Sequence, residues 1–345
     1  MQMKQNGYLV LDTNIWVYTT RLLSTSLGAA VIYSLSQTKS KLALPEIIEE
    51  EIRKHTLKIG SEAVAGIHKH YRLVEQLMGS RDDYKVPTTD EFATRVDSRL
   101  SELDTLIHRT DFSIGHAKSA MSRVLEESPP NGYKNQQFKD SAIWESILEL
   151  ANETDVDFVT EDKAFFQDGK PSKGLASNLI TDSQNKSGKI RVFSELSEYL
   201  KVVKKEMPPL DNKKIIEEID KLINSDLYRR AVDQRYKLGD ISNSAMKAFL
   251  TEQPKIVAIE FEITYFASGV VMPETGGIIE AYLVVKGSCE CNTTLYQVTD
   301  IDLESISMVA KDGGSVLPYG SISQRVGCIY EGRRTIPHRL REPLD

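Results

Sequence analysis

Two hydrophobic periods alternate over the first two hundred residues, and this limits the folds open to the chain more than any other feature. Short apolar runs occur at YLVL (8–11), KLAL (41–44), VDFVT (156–160) and IRVF (190–193). They are nearly continuous rather than alternating, as strands buried on both faces require. Between them, apolar residues recur at helical steps. Leu22, Leu23, Leu27, Val31 and Leu35 predict a helix over 14–35, and Pro45 suits the first position of a helix through IIEEEIRKH. Residues 61–128 read as mostly helical with a break at Pro87, PPNG (129–132) as a turn, 139–151 as a strong helix, and a last helix runs to 203. The expectation for 1–205 is an α/β domain built on a parallel sheet, with 60–130 as a helical insertion. Such sheets carry their active sites at the carboxyl ends of the strands.

The remainder reads differently. EMPPLD (206–211) has the texture of a linker. Ile215, Ile216, Ile219, Leu222 and Ile223 mark an amphipathic helix, and helix is expected over 211–252. From residue 255 onward, segments such as KIVAIEFEITYF and IIEAYLVVKG alternate between glycine or polar breaks, so an antiparallel sheet is expected over 255–331. Residues 206–345 are thus expected to form a smaller α+β domain, and KIVAIEFEITYF is a candidate edge strand for pairing between subunits.

Composition narrows the function. The net charge is −7, and neither half is basic, so bulk electrostatic coating of nucleic acid is excluded and any such contact is a local patch. No apolar stretch reaches transmembrane length, and MQMKQNG lacks the apolar core of a signal peptide. Three cysteines, Cys289, Cys291 and Cys328, do not make a disulfide framework, and the C-E-C spacing does not suit zinc. A cytoplasmic location is expected.

The acids stand out by position. Asp12 follows the first apolar run; Glu46, Glu49, Glu50 and Glu51 follow the second; Asp140 opens a helix; Asp162 follows the third run. The ends of parallel strands share one edge, so these carboxylates repel unless a positive group binds among them. Magnesium or manganese, with their oxygen ligands, answer that need. Glu51 falls on the apolar face of Ile47, Ile48 and Ile52 and is preferred over Glu50, which stays in reserve. Plain structural readings stand beside these: Asp140 suits a helix's first turn, and Asp162 with Thr160 suits a cap.

With these residues in order, LDTN, LPEIIEEEI, FKDSAIWESI and FVTEDKAFF resemble the PIN-domain nucleases over about 7–203, especially larger members with a Pro-Pro loop before the third acidic motif. The resemblance implies a Rossmann-like sheet and a nuclease dependent on Mg2+ or Mn2+, usually an endoribonuclease. It casts Asp12, Glu51, Asp140 and Asp162 as the acidic cluster, with Asp12, Asp140 and Asp162 on metal and Asn14 and Thr160 in support. The expected function is metal-dependent RNA cleavage of a toxin-like or defence-related kind. The alternatives are a DNase acting on flaps or single strands, and a catalytically silent scaffold. Asn14 stands where an aspartyl-phosphate enzyme would need a second aspartate. Candidate phosphate contacts are Lys134, Lys139, Lys163 and His55; HKHYR (68–72) and the basic tail GRRTIPHRLREPLD are further basic features. The expected partners are an RNA substrate and, through the C-terminal domain, a regulatory protein or a second copy of the chain.

Overall fold

The apolar runs become the buried strands of a parallel sheet. β1 (Tyr8–Leu11), β2 (Lys41–Pro45), β3 (Ile107–Thr110), β4 (Val156–Val159) and β5 (Ile190–Phe193) line up in the order β3-β2-β1-β4-β5. Every pairing in it is parallel. The computed structural model describes residues 7–79, 85–131, 137–201, 207, 209–253, 255–271, 277–311 and 316–317. These fall into two compact units, one holding described residues of 7–17 and 35–199, the other of 18–34 and 200–317.

In the first unit Leu9, Val10 and Leu11 of β1 are buried, as are Leu42, Ala43 and Leu44 of β2 and Val156, Phe158 and Val159 of β4. Helix α1 (Ser26–Thr38) begins in the second unit and ends in the first. α2 (Glu46–Met78) packs its first turns through Ile48 and Ile52. α3 (Thr89–Glu102) starts at a capping box, in which Thr88 and Glu91 satisfy each other's backbone donors. α4 (Ile114–Leu125) and α5 (Phe138–Leu150) follow, and α5 buries Ile143, Trp144, Ile147 and Leu150. The short α6 (Ser177–Ser183) and α7 (Leu196–Leu200) complete the unit up to residue 199. Among the described residues no helix is long and apolar enough to cross a membrane.

β3 corrects the sequence reading of 60–130 as all helical. IHRT is four residues long, and its side chains are half exposed at the sheet edge, so it carries no apolar run. Its pairing with β2, Leu42 beside Ile107, makes it a strand.

In the second unit, β6 (Lys237–Leu250), β7 (Ile256–Val271), β8 (Ile278–Asn292), β9 (Val298–Ala310) and β10 (Val316–Leu317) form an antiparallel sheet in chain order. α8 (Asn212–Asp233) lays Ile215, Ile219, Ile223, Leu227 and Ala231 into one core with Val257, Ile259, Phe261, Ile263 and Tyr265 of β7. The Tyr265 hydroxyl donates to Asp220 at 2.7 Å. Two expectations are overturned here. Residues 237–250, read as helix, are a strand, because eleven-register pairing with β7 outweighs a weak helical pattern rich in Ser and Asn. KIVAIEFEITYF is not an edge: β7 is paired on both sides, and β6 takes the edge. Cys289 and Cys291 are buried free thiols on β8. The QRVGCIY segment, Cys328 and the basic tail lie outside the described residues.

Residues 14–35 are not one helix. A π-type turn spans Ile15–Thr19, and Arg21, Leu22 and Leu23 then take positive φ of 46°, 57° and 57° before α1 starts. Threonine side chains compete with the helical ladder: Leu23 N donates to Thr20 Oγ1, Gly28 N to Thr25 Oγ1, and Thr25 Oγ1 to the Thr19 carbonyl. Leu23 is buried, and Arg21 pairs with Asp302 of β9. The turn presses its backbone onto Gly28, where a Cβ would lie 2.6 Å from Leu23 Cα and carbonyl carbon. Gly28→Ala is therefore expected to destabilise the protein by about 1–3 kcal/mol, as overpacking against backbone does. Chemical denaturation of the two proteins measures the difference, and a stability equal to the parent's counts against the close approach.

Candidate active site

The sheet order sets β1 between β2 and β4, so the acids that follow these strands meet at one edge. Asp12 is held by backbone as well as by its side chain: its N–H donates to the Val159 carbonyl at 2.9 Å, extending the ladder by one residue. One carboxylate oxygen accepts from the Thr13 N–H at 2.7 Å and the other from Thr160 Oγ1 at 2.6 Å. Thr160 is fully buried and accepts in turn from the Asp162 N–H at 3.0 Å. Asp162 caps the short turn Lys163–Phe165, accepting from the Ala164 N–H at 2.8 Å. The capping role read as an alternative in sequence is thus real for Asp162, and it fixes the carboxylate beside the others.

Glu51 reaches the group from α2. One of its oxygens accepts from Thr13 Oγ1 at 2.8 Å, and the other pairs with the Lys139 ammonium. The other glutamates of that helix go elsewhere: Glu46 to the Phe112 N–H, Glu49 to Arg53 and Arg109, while Glu50 is exposed to solvent. Asp140 arrives in the first turn of α5, and its Oδ2 is buried and accepts from no donor among the described residues.

This crowding appears in the titration of the acids. Burial raises the Asp12 carboxyl above its ordinary range; hydrogen bonds from Thr160 and Thr13 oppose the rise, and the charges of Asp162 and Glu51 add to it. Burial also raises Asp140, with the charges of Asp162 and Asp12 reinforcing it and Asp162 near enough to share its proton. Both shifts come first from burial, and the mutual repulsion of the clustered acids adds to it.

Three more of the expected residues are present but apart. Asn14 is exposed, and it is the neighbouring Thr13, buried, that links Asp12 to Glu51. Sequence reading passed over Thr13; the available signal was its position directly after Asp12 at a strand end, where a short hydroxyl side chain turns inward. His55 lies half-buried farther along α2, and no hydrogen bond joins it to the acids. Lys163 is exposed on the rim of an open groove of about 610 Å³ lined also by Asn131, Asp162, Gln167 and Asn178. HKHYR lies on a largely exposed stretch of α2, and Lys134 lies outside the described residues.

Whether these groups fit a divalent cation is decided by their chemistry. Among the described residues no three side chains stand as a ready-made metal cage. Asp12 and Glu51 are turned to hydroxyl, amide and ammonium donors, although a carboxylate oxygen with one hydrogen bond keeps a lone pair for a cation. The buried, unpartnered Asp140 Oδ2 and the uncompensated charge of Asp12, Asp140 and Asp162 suit a hard cation that prefers oxygen. In chemistry the set fits magnesium or manganese.

Residues 9–165 match the family model described as PIN domain, which spans all four acids. No curated protein matches the chain. PIN domains are generally nucleases that typically use divalent metals.

The raised Asp140 has a consequence for stability. In the unfolded chain its carboxyl ionises in the ordinary range, and in the fold it keeps its proton to higher pH. The folded state then binds more protons, so stability falls as pH rises above that ordinary range. In chelator, Asp140→Asn is expected to melt above the parent at about pH 8, and the two should converge towards about pH 4, where both side chains are neutral. Thermal melts at both pH values check this, and a parent that melts no lower at high pH counts against it.

Proposed function

We propose, from the PIN domain that residues 9–165 form, that this chain is a divalent-metal-dependent endoribonuclease. The single observation that carries the reading is the buried Oδ2 of Asp140, which among the described residues accepts no hydrogen bond and lies close to the carboxylates of Asp12, Glu51 and Asp162. A site that leaves repulsion unrelieved loses stability for a function, and binding a cation recovers it.

In this reading Asp12, Asp140 and Asp162 hold the metal. When bound, the metal offsets charge on the scissile phosphate and lowers the pKa of an attacking water. Asp12 is the most rigid ligand because strand backbone and two hydrogen bonds fix it. Thr160 orients Asp12 and Asp162 together through one hydroxyl. No side-chain nucleophile is needed, since water attacks phosphorus directly. The open groove beside Asp162 gives a strand access to the acids, and its amide side chains suit nucleobase edges. RNA as substrate and a toxin-like or defence-related role rest on the family resemblance, and a cytoplasmic setting rests on the few cysteines and the sequence's lack of a long apolar run. The second unit, α8 with its antiparallel sheet, is read as the element that restrains the nuclease or selects its substrate; residues 18–34 belong to the same unit.

The test uses labelled single-stranded RNA and single-stranded DNA with magnesium, with manganese and with chelator. Metal-dependent cleavage of RNA is expected, and Asp12→Asn should lower it roughly a hundredfold or more. Cleavage of DNA alone transfers the reading to a DNase. A lack of both cleavage and calorimetric metal binding makes the domain a scaffold.

A further inference from the structure

Lys139 is in an odd place. It occupies the first turn of α5, beside Asp140, where the helix dipole disfavours positive charge. Its side chain is 64% exposed, yet its ammonium is directed to the Glu51 carboxylate on α2, 88 residues away in sequence. An exposed lysine–carboxylate pair contributes little to stability, about 0–1 kcal/mol, so holding the fold together does not account for it.

The partners of Glu51 show what the pair does. Both its oxygens are engaged by the protein, one by Thr13 and the other by Lys139. Asp140 is the opposite case, with a buried oxygen that accepts from no donor among the described residues and has the Asp162 carboxyl beside it. The four acids are therefore not equivalent. The charge of Glu51 is answered by an ammonium from within the chain, whereas among the described residues Asp12 and Asp162 meet neutral donors and Asp140 Oδ2 meets none. Thr13 ties the two sides, since its N–H donates to Asp12 and its hydroxyl to Glu51. A continuous path thus runs from Asp12 through Thr13 and Glu51 to an exposed ammonium at the mouth of the site.

We infer that Lys139 is a phosphate-binding catalytic residue, held in position by Glu51 and Thr13, and that its ammonium fills the role a second metal plays elsewhere. The inference rests on the nuclease reading above and adds one assignment to it: Glu51, outside the three metal-holding aspartates, is a positioning residue. Hydrolysis builds negative charge on the phosphate oxygens and on the leaving oxygen, and a single metal reaches one side of that charge. Lys139 donates a hydrogen bond to a non-bridging phosphate oxygen and keeps its proton throughout. The water oxygen bonds to phosphorus, the bond from phosphorus to the leaving oxygen breaks, the water's proton passes to solvent, and the leaving oxygen takes a proton from solvent.

The experiment compares the parent with Lys139→Ala, Lys139→Arg, Glu51→Gln and the Lys139→Ala/Glu51→Gln double variant. Three quantities are read: single-turnover cleavage of labelled RNA at saturating magnesium, magnesium affinity by calorimetry, and RNA affinity in chelator by fluorescence anisotropy. Lys139→Ala is expected to slow cleavage roughly 10²–10³-fold. It should also weaken RNA binding in chelator and leave magnesium affinity unchanged. Lys139→Arg should recover part of the rate. Glu51→Gln should keep magnesium affinity and slow cleavage, and the double variant should be no slower than Lys139→Ala. A Lys139→Ala protein that cleaves at the parental rate overturns the inference alone. So does loss of magnesium binding in Glu51→Gln, which makes Glu51 a ligand and Lys139 its counter-ion. A parent that cleaves neither RNA nor single-stranded DNA with either metal overturns the nuclease reading itself and leaves Lys139 no phosphate to act on.

Discussion

Carboxylates brought together out of water repel, and the end of β1 is built around that repulsion. Asp12 is tolerable there because two hydrogen bonds meet its oxygens and the ladder fixes its backbone. Glu51 is tolerable because Thr13 and Lys139 meet both of its oxygens. Asp140 has no such relief at Oδ2, and its carboxyl holds its proton well above the ordinary range. A fold selected only for stability has no use for such a residue. In the nuclease reading proposed above, that residue waits for the cation.

The architecture that permits this is economical in strand length. The parallel strands have four or five residues each, enough to bury three apolar side chains and to stop at an acid. Two helices bring further acids to the same edge: α2 supplies Glu51 from its second turn and α5 supplies Asp140 from its first. The second unit follows another logic, with strands of thirteen to sixteen residues from β6 to β9 joined in chain order, and with one face packed on α8. It also takes in residues 18–34, a stretch that the chain reaches only six residues after Asp12. Three successive non-glycine residues there hold left-handed backbone, a conformation costing about 1–2 kcal/mol per residue, which burial of Leu23 and the pairing of Arg21 with Asp302 offset.

Much of the first unit was legible in the sequence. A buried parallel strand needs a largely apolar run, and YLVL, KLAL, VDFV and IRVF supply one each, the last two interrupted only by Asp157 and Arg191. The preference for Glu51 over Glu50 was legible too, because Ile48 and Ile52 define a helix face and only one of the adjoining glutamates shares it. β3 was not legible: an edge strand with half-exposed side chains has no hydrophobic signature, and only its pairing with β2 makes it a strand. Residues 237–250 were misread because Ser, Asn and Gly favour neither period strongly, and the partner strand decides. Residues 14–35 were read as continuous helix because leucine spacing was weighed and threonine hydroxyls were not.

By itself the sequence determined the alternation of strand and helix and the placing of acids where strands end, since both follow from the local order of apolar and charged residues. Tertiary structure alone decided which acids are satisfied and which is left bare. Thr13 and Lys139 meet Glu51 across 38 and 88 residues of chain, and Thr160 meets Asp12 across 148. Hydrogen bonds of that separation exist only once the sheet has closed, and no local pattern encodes them.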